Sequence, residues 1–251
     1  MMRRLPAATT AAAIVALAVP ATVLATEYEI GNTDGPQPAP ACPATPCFAI
    51  SRTTGYQAKV GTKRGLMTIP ADGRIVAWSI TLGKPGKKQI AFFNQKLGGA
   101  ASAQITILNP RSKLRSRAVA QGEPQQLEPY FGSTVEFALQ KSIPVKKGWV
   151  VALSTTTWVP ALAVNLGVDT SWRASRGRGT CDDTQSQTAQ TQPNQLTQYY
   201  CLYRTARLMY TATLITNPTP TNGTTTPTTP TTTTPTTTTP TTTPTTTTPS
   251  K

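Results

Sequence analysis

Between Arg111 and Arg117 a cation stands at every second position: Arg111, Lys113, Arg115 and Arg117. In an extended chain, residues two apart share one face at a spacing of roughly 6.5–7 Å. Four charges in line would then follow the phosphates or uronates of an anionic polymer. The same row equally fits a solvated sheet face, or an edge strand guarded by charge. A second group comprises Trp172, Arg173, Arg176 and Arg178, with Tyr199 and Tyr200 further along. A flat ring for stacking beside forked guanidinium donors suits a sugar or an anionic glycan. The other reading has Trp172 closing over the core and the arginines decorating a loop.

Much chemistry is excluded by what is missing. The 251 residues contain no histidine, so Ser-His-Asp and Cys-His catalysis, His-ligated metals and imidazole switching are ruled out. Lys and Arg number 24 against 10 Asp and Glu, a formal charge of +14, which makes a carboxylate metal cage improbable. No cofactor is expected. A glycosidase needs two convergent carboxylates, and the acids from residue 42 to 216 are Asp72, Glu123, Glu128, Glu136, Asp169, Asp182 and Asp183. Asp72 belongs to a turn, Glu136 alternates along a strand, and Asp182-Asp183 are chain neighbours. A lyase using Tyr with Lys or Arg on an acidic sugar is the other catalytic route; neither route has a motif. The expectation is a non-catalytic protein whose partner is an anionic wall polymer or polysaccharide. A polysaccharide-acting enzyme and a purely structural surface protein are the alternatives. No nucleic-acid-binding motif is present.

These residues must be carried by strands. Val76, Trp78, Ile80 and Leu82 alternate with small or polar residues after the turn Pro70–Gly73, and Val135, Phe137 and Leu139 do the same. Trp149, Val151 and Leu153 follow Lys147-Gly148, and Leu208, Tyr210, Ala212 and Leu214 form the last such run. Strict alternation bounded by Gly, Pro and Asp predicts half-buried strands, with Trp78 and Trp149 in the core. Further strands are expected over 57–62, 89–95, 103–108, 113–121 and 199–203, and no window predicts an amphipathic helix. The fold expected is all-β: one antiparallel sandwich, jelly-roll-like, over residues 42–216.

The ends differ in character. Arg3 and Arg4, the apolar run Ala11–Leu24 and the small residues before Thr26 predict a cleaved secretory leader, Met1–Ala25, too short to span a membrane. Residues 26–41 are expected to be a flexible lead-in. Residues 217–251 contain 22 Thr and 8 Pro, have nothing to bury, and are expected to be disordered. Such a tail fits a stiff spacer with the composition of O-glycosylated stalks, or an inert low-complexity stretch. Four cysteines in an exported chain predict two disulfides. Three connectivities are open; Cys42–Cys47 and Cys181–Cys201 are favoured because each pair brackets one turn-rich segment. The oligomeric state is not encoded in these signals.

Two strings carry a resemblance. Ile69–Trp78 places a Gly-containing turn before a Trp-bearing strand, and Ile143–Leu153 has the Val145-Lys146-Lys147-Gly148 turn entering another. They resemble uncharacterised exported bacterial β-sandwich proteins, over residues 66–216. Trp149 stands where those proteins commonly carry an acid, so no role of that acid transfers. The resemblance implies a jelly-roll-like fold and export, and it transfers neither an activity nor a site residue.

Overall fold

The structure, a computed structural model, describes residues 23–183 and 187–220. Its main strands in chain order are β1 (Glu27–Ile30), β2 (Ile50–Val60), β3 (Gly73–Thr81), β4 (Ser102–Pro110), β5 (Arg115–Gln121), β6 (Thr134–Val145) and β7 (Val150–Val159). They are followed by β8 (Ser171–Ala174), β9 (Leu196–Gln198), β10 (Cys201–Arg204) and β11 (Tyr210–Thr216), and one helix, α1 (Lys87–Lys96), joins β3 to β4. Antiparallel pairing gives two sheets: β1-β11-β3-β6, and β9-β5-β4-β7-β2-β8-β10. With β8–β10 set aside, the eight remaining strands run 1-8-3-6 in one sheet and 2-7-4-5 in the other, which is jelly-roll order. The excursion from β7 to β11 supplies β8–β10 and widens the second sheet at both edges.

The core lies between the sheets. Trp78, Ile75 and Ile80 from β3 meet Ile105 and Ile107 from β4 and Leu153 from β7, all essentially without solvent contact. Tyr210 on β11 donates its hydroxyl hydrogen across the layers to the Val151 carbonyl, at 3.0 Å. Alternation predicts Trp78, Ile80 and Leu153 correctly, but an irregularity between Ile75 and Ala77 turns Ile75 inward in place of the half-buried Val76, and the second sheet is also covered outside. There Thr54, Thr106 and Ser154 are buried and bond one another, Thr54 Oγ1 to Ser154 Oγ at 2.6 Å and Thr106 Oγ1 to Ser154 Oγ at 2.7 Å. Gln190, from the loop before β9, closes this stripe by donating its N–H to Thr54 Oγ1. Buried hydroxyls are tolerated because they are mutually bonded.

Four sequence expectations are corrected. Residues 89–95 are helical: Ile90, Phe93 and Leu97 sit at i, i+3 and i+7, and Phe93 packs on Trp158 with ring centroids 4.7 Å apart. Gly86 and Gly98 bracket the helix, and the Gly86 N–H is taken by Gln89 Oε1 at 2.7 Å. Within the lead-in, Glu27–Ile30 is ordered as β1 on the edge of β11, because its main-chain groups complete that ladder. The folded unit therefore runs Val23–Pro220, wider than 42–216, and Val23–Leu24 pairs with Thr219–Pro220. Trp149 is half-buried, since it precedes β7 rather than lying within it. The fourth correction concerns the cationic row.

Both disulfides have the favoured pairing, Cys42–Cys47 and Cys181–Cys201. No helix among the described residues is long and apolar enough to cross a membrane. The expected leader up to residue 22 and the Thr/Pro tail from residue 221 lie outside the described residues.

Candidate functional site

Arg111, Lys113, Arg115 and Arg117 do not form one extended row. The chain reverses at Lys113 and Leu114, with φ of 58° and 57°, and the Arg111 N–H donates to the Arg115 carbonyl at 2.7 Å. Arg115 and Arg117 share a face of β5, Arg111 stands opposite on the incoming strand, and Lys113 occupies the tip. The turn wins because the β4–β5 ladder leaves only three residues to connect Arg111 with Arg115. Arg117 donates to the Asn194 carbonyl at 2.9 Å; Arg111, Lys113 and Arg115 are exposed. None of the four has a carboxylate partner among the described residues.

The second group is mostly interior. Trp172 is 6% exposed, Arg176 8% and Tyr199 0%. The Trp172 ring stacks on Tyr203 at 4.7 Å between centroids, and Arg176 donates to the Tyr203 hydroxyl oxygen and to the Cys181 carbonyl. Arg173 donates to the carbonyls of Tyr199 and Tyr200, both at 3.1 Å. Burial holds the Tyr199 hydroxyl well above its ordinary pKa. These side chains clamp the Cys181–Cys201 segment to the sheet. Of the aromatics expected to stack on a ligand, Tyr200 alone is exposed, at 39%.

The two groups nevertheless meet through main chain. The Tyr199 N–H donates to the Leu114 carbonyl at the hairpin tip, at 2.7 Å, and the Tyr200 N–H to the Arg176 carbonyl at 3.0 Å. Leu114, 43% exposed, therefore stands among Arg111, Lys113 and Arg115 with the β9–β10 segment beside it.

Strand register places more charge at this end than either motif contains. Val150 pairs with Leu108, Ser171 with Lys59, Gly73 with Val145, and Arg204 with Ser171. The β2–β3, β4–β5 and β6–β7 connections thus share one end of the sandwich. They carry Lys63 and Arg64; Arg111, Lys113 and Arg115; and Lys146 and Lys147, with Arg74 and Arg204 at adjoining strand ends. Two of the acids at this end are engaged. Asp34 pairs with Lys63 at 2.5 Å, which holds its carboxyl below the ordinary value, and Asp72 accepts the Lys147 N–H at 2.8 Å. Glu27 and Asp169 are the others. Glu123 and Glu128 lie at the opposite end, with Lys84, Lys87, Lys88 and Lys96 near them.

No protein-family model, curated protein or solved structure matches the chain. The site therefore rests on geometry alone.

Sequence reading finds the hairpin cations but misses the gathering of the three turns, since residues 63, 113 and 147 come to one end of the sandwich only through register. It also misses Arg207. This residue follows the turn after β10, is 6% exposed, and donates to Thr33 Oγ1 at 3.0 Å and the Gly31 carbonyl at 3.3 Å. No carboxylate lies within ion-pair distance of it among the described residues. Groups of His, Cys, Asp and Glu able to hold a metal are absent among the described residues.

Proposed function

We propose that this is a secreted, non-catalytic jelly roll that binds an anionic envelope or extracellular glycan at its cationic end. The observation that carries the reading is the gathering of Lys63, Arg64, Arg111, Lys113, Arg115, Lys146 and Lys147 on connections that register brings to one end. An end where cations outnumber acids concentrates counter-ions and steers a polyanion toward it. Two disulfides and the leader-like first 25 residues support export, where such polymers occur. The described chain leaves at the same end: Asn217 donates its N–H to the Asp72 carbonyl at 2.9 Å, beside Lys147.

Retention of the purified chain on immobilised polyuronate, with neutral dextran beads as control, tests this. Binding to polyuronate at low salt is expected, with release at 1 M salt, where the Debye length falls to about 3 Å. Equal retention on dextran, or retention unaffected by salt, would overturn the reading. Depolymerisation of the immobilised polymer would favour the enzyme alternative.

A further inference from the structure

Two cavities meet at Arg207. One, of about 590 Å³, is lined by Thr33, Val60, Thr62, Lys63, Leu166 and Thr170 among others. The second, of about 460 Å³, is lined by Glu29, Thr81, Met209 and Tyr210 among others. Gln37 and Pro38 line both, as does Arg207. The chain from Thr33 to Pro40 thus forms a strap between the cavities, and Arg207 lies behind it. Gln37 holds the strap's shape by donating to the Thr33 carbonyl and hydroxyl, both at 3.1 Å.

We propose that the larger of these cavities binds a compact sugar-sized ligand bearing an oxyanion, which Arg207 and Lys63 receive. The inference takes its ligand class from the proposed glycan-binding function and assigns a specific site for one acidic unit.

Several observations support it. Arg207 is buried with no carboxylate beside it, an arrangement that is unfavourable unless an anion completes it. Burial lowers its guanidinium pKa without offering a compensating acid. Its side chain donates one bond each from Nη1 and Nη2, whereas a guanidinium has five N–H groups. The volume lies within the range of about 300–1,000 Å³ common for small-molecule sites. The lining combines apolar Val60 and Leu166 with hydroxyls of Thr33, Thr62 and Thr170, a surface suited to a sugar's faces and edges. Asp34 and Lys63 pair at the rim, so an incoming anion competes with Asp34 for the ammonium group. Each cavity is lined by one acid, Asp34 in the first and Glu29 in the second, and it is the pairing of Asp34 with Lys63 that favours the first for a negative ligand.

The oxyanion can be a uronate carboxylate or a sugar phosphate, and titration calorimetry with D-glucuronate, glucose 6-phosphate and glucose separates them. Binding of either acid with no heat from glucose is expected, and the acid that binds identifies the source. Arg207→Met should weaken binding about tenfold or more, the scale of losing a charge-assisted fork. Thr62 is exposed, so Thr62→Trp should fill the cavity without disturbing the fold and abolish the heat, even if Arg207→Met does not fold. Asp34→Asn should tighten binding by freeing Lys63. Absence of binding by both acids, equal binding of glucose, or binding that survives Thr62→Trp would overturn the proposal. Polyuronate retention with no monosaccharide binding would defeat this site alone. Monosaccharide binding without retention would defeat the polymer reading alone.

Discussion

The indole of Trp172 lies against the bare backbone of Gly55: a methyl group built on Gly55 would stand 2.8 Å from the ring. The opposite side of the same aromatic cluster is closed by Tyr203, whose ring stacks at 27° to the indole, with the Arg176 guanidinium 5.6 Å from its centroid. Trp172 is thus packed from every direction as a core residue, which explains why it has no surface to offer a ligand.

Gly55→Ala should therefore destabilise the protein by about 1–3 kcal/mol, the cost of forcing an extra carbon into a packed interior. Urea denaturation followed by tryptophan fluorescence measures this. An unchanged midpoint would mean that the indole moves freely and is not fixed by the contact.

Gln57 serves several backbone groups at once. Its Nε2 donates to the carbonyls of Ser171 at 2.9 Å and Lys59 at 3.1 Å, and its Oε1 accepts the Leu208 N–H at 2.9 Å. Gln57→Leu keeps most of the volume but strands these partners, at about 1–3 kcal/mol for each buried group left unpaired. A larger loss of stability is expected than for Gly55→Ala, with the β8 and Leu208 amides losing hydrogen-exchange protection first. Wild-type protection in those segments would refute the linking role.

How much of this could be read from the chain varies by element. The β3, β6, β7 and β11 strands are legible because one face is apolar and the period is two. Helix α1 is not, because its one buried residue, Phe93, lies beside the exposed Phe92, which masks the 3.6 period. The hairpin at Lys113-Leu114 is hidden for a different reason: the φ > 0 positions of such turns are favoured by Gly and Asn, and neither is present. Arg207 gives no local signal at all. Its neighbours Gly31 and Thr33 lie 176 and 174 residues away in the chain, so tertiary structure alone creates that site.

Burial raises the Tyr199 and Tyr210 hydroxyls well above the ordinary tyrosine value of 10.0, and raises Tyr56 to a lesser extent. The unfolded chain ionises these groups near pH 10 while the folded chain keeps them neutral. Above that pH the folded state binds more protons, so stability is full below about pH 10 and falls as pH rises. Absorbance at 295 nm, read beside circular dichroism, follows this ionisation. Tyr199 and Tyr210 should ionise only together with loss of the native circular dichroism. Smooth titration of all tyrosines without unfolding would contradict their burial.

Charge placement can be separated from charge amount. Replacing Arg111, Lys113 and Arg115 with Ser removes three charges from the turn-bearing end, and replacing Lys84, Lys87 and Lys88 with Ser removes three beside the opposite end. All six positions carry no ion pair among the described residues, and surface changes of this kind usually alter stability by less than about 0.5 kcal/mol. The two triple variants have equal net charge, so nonspecific attraction predicts equal loss of polyuronate retention. A localised site predicts that the hairpin variant elutes at markedly lower salt while the Lys84/Lys87/Lys88 variant elutes close to wild type. Reversal of that order, or coincident elution of both variants, would show that the gathered turns have no special role.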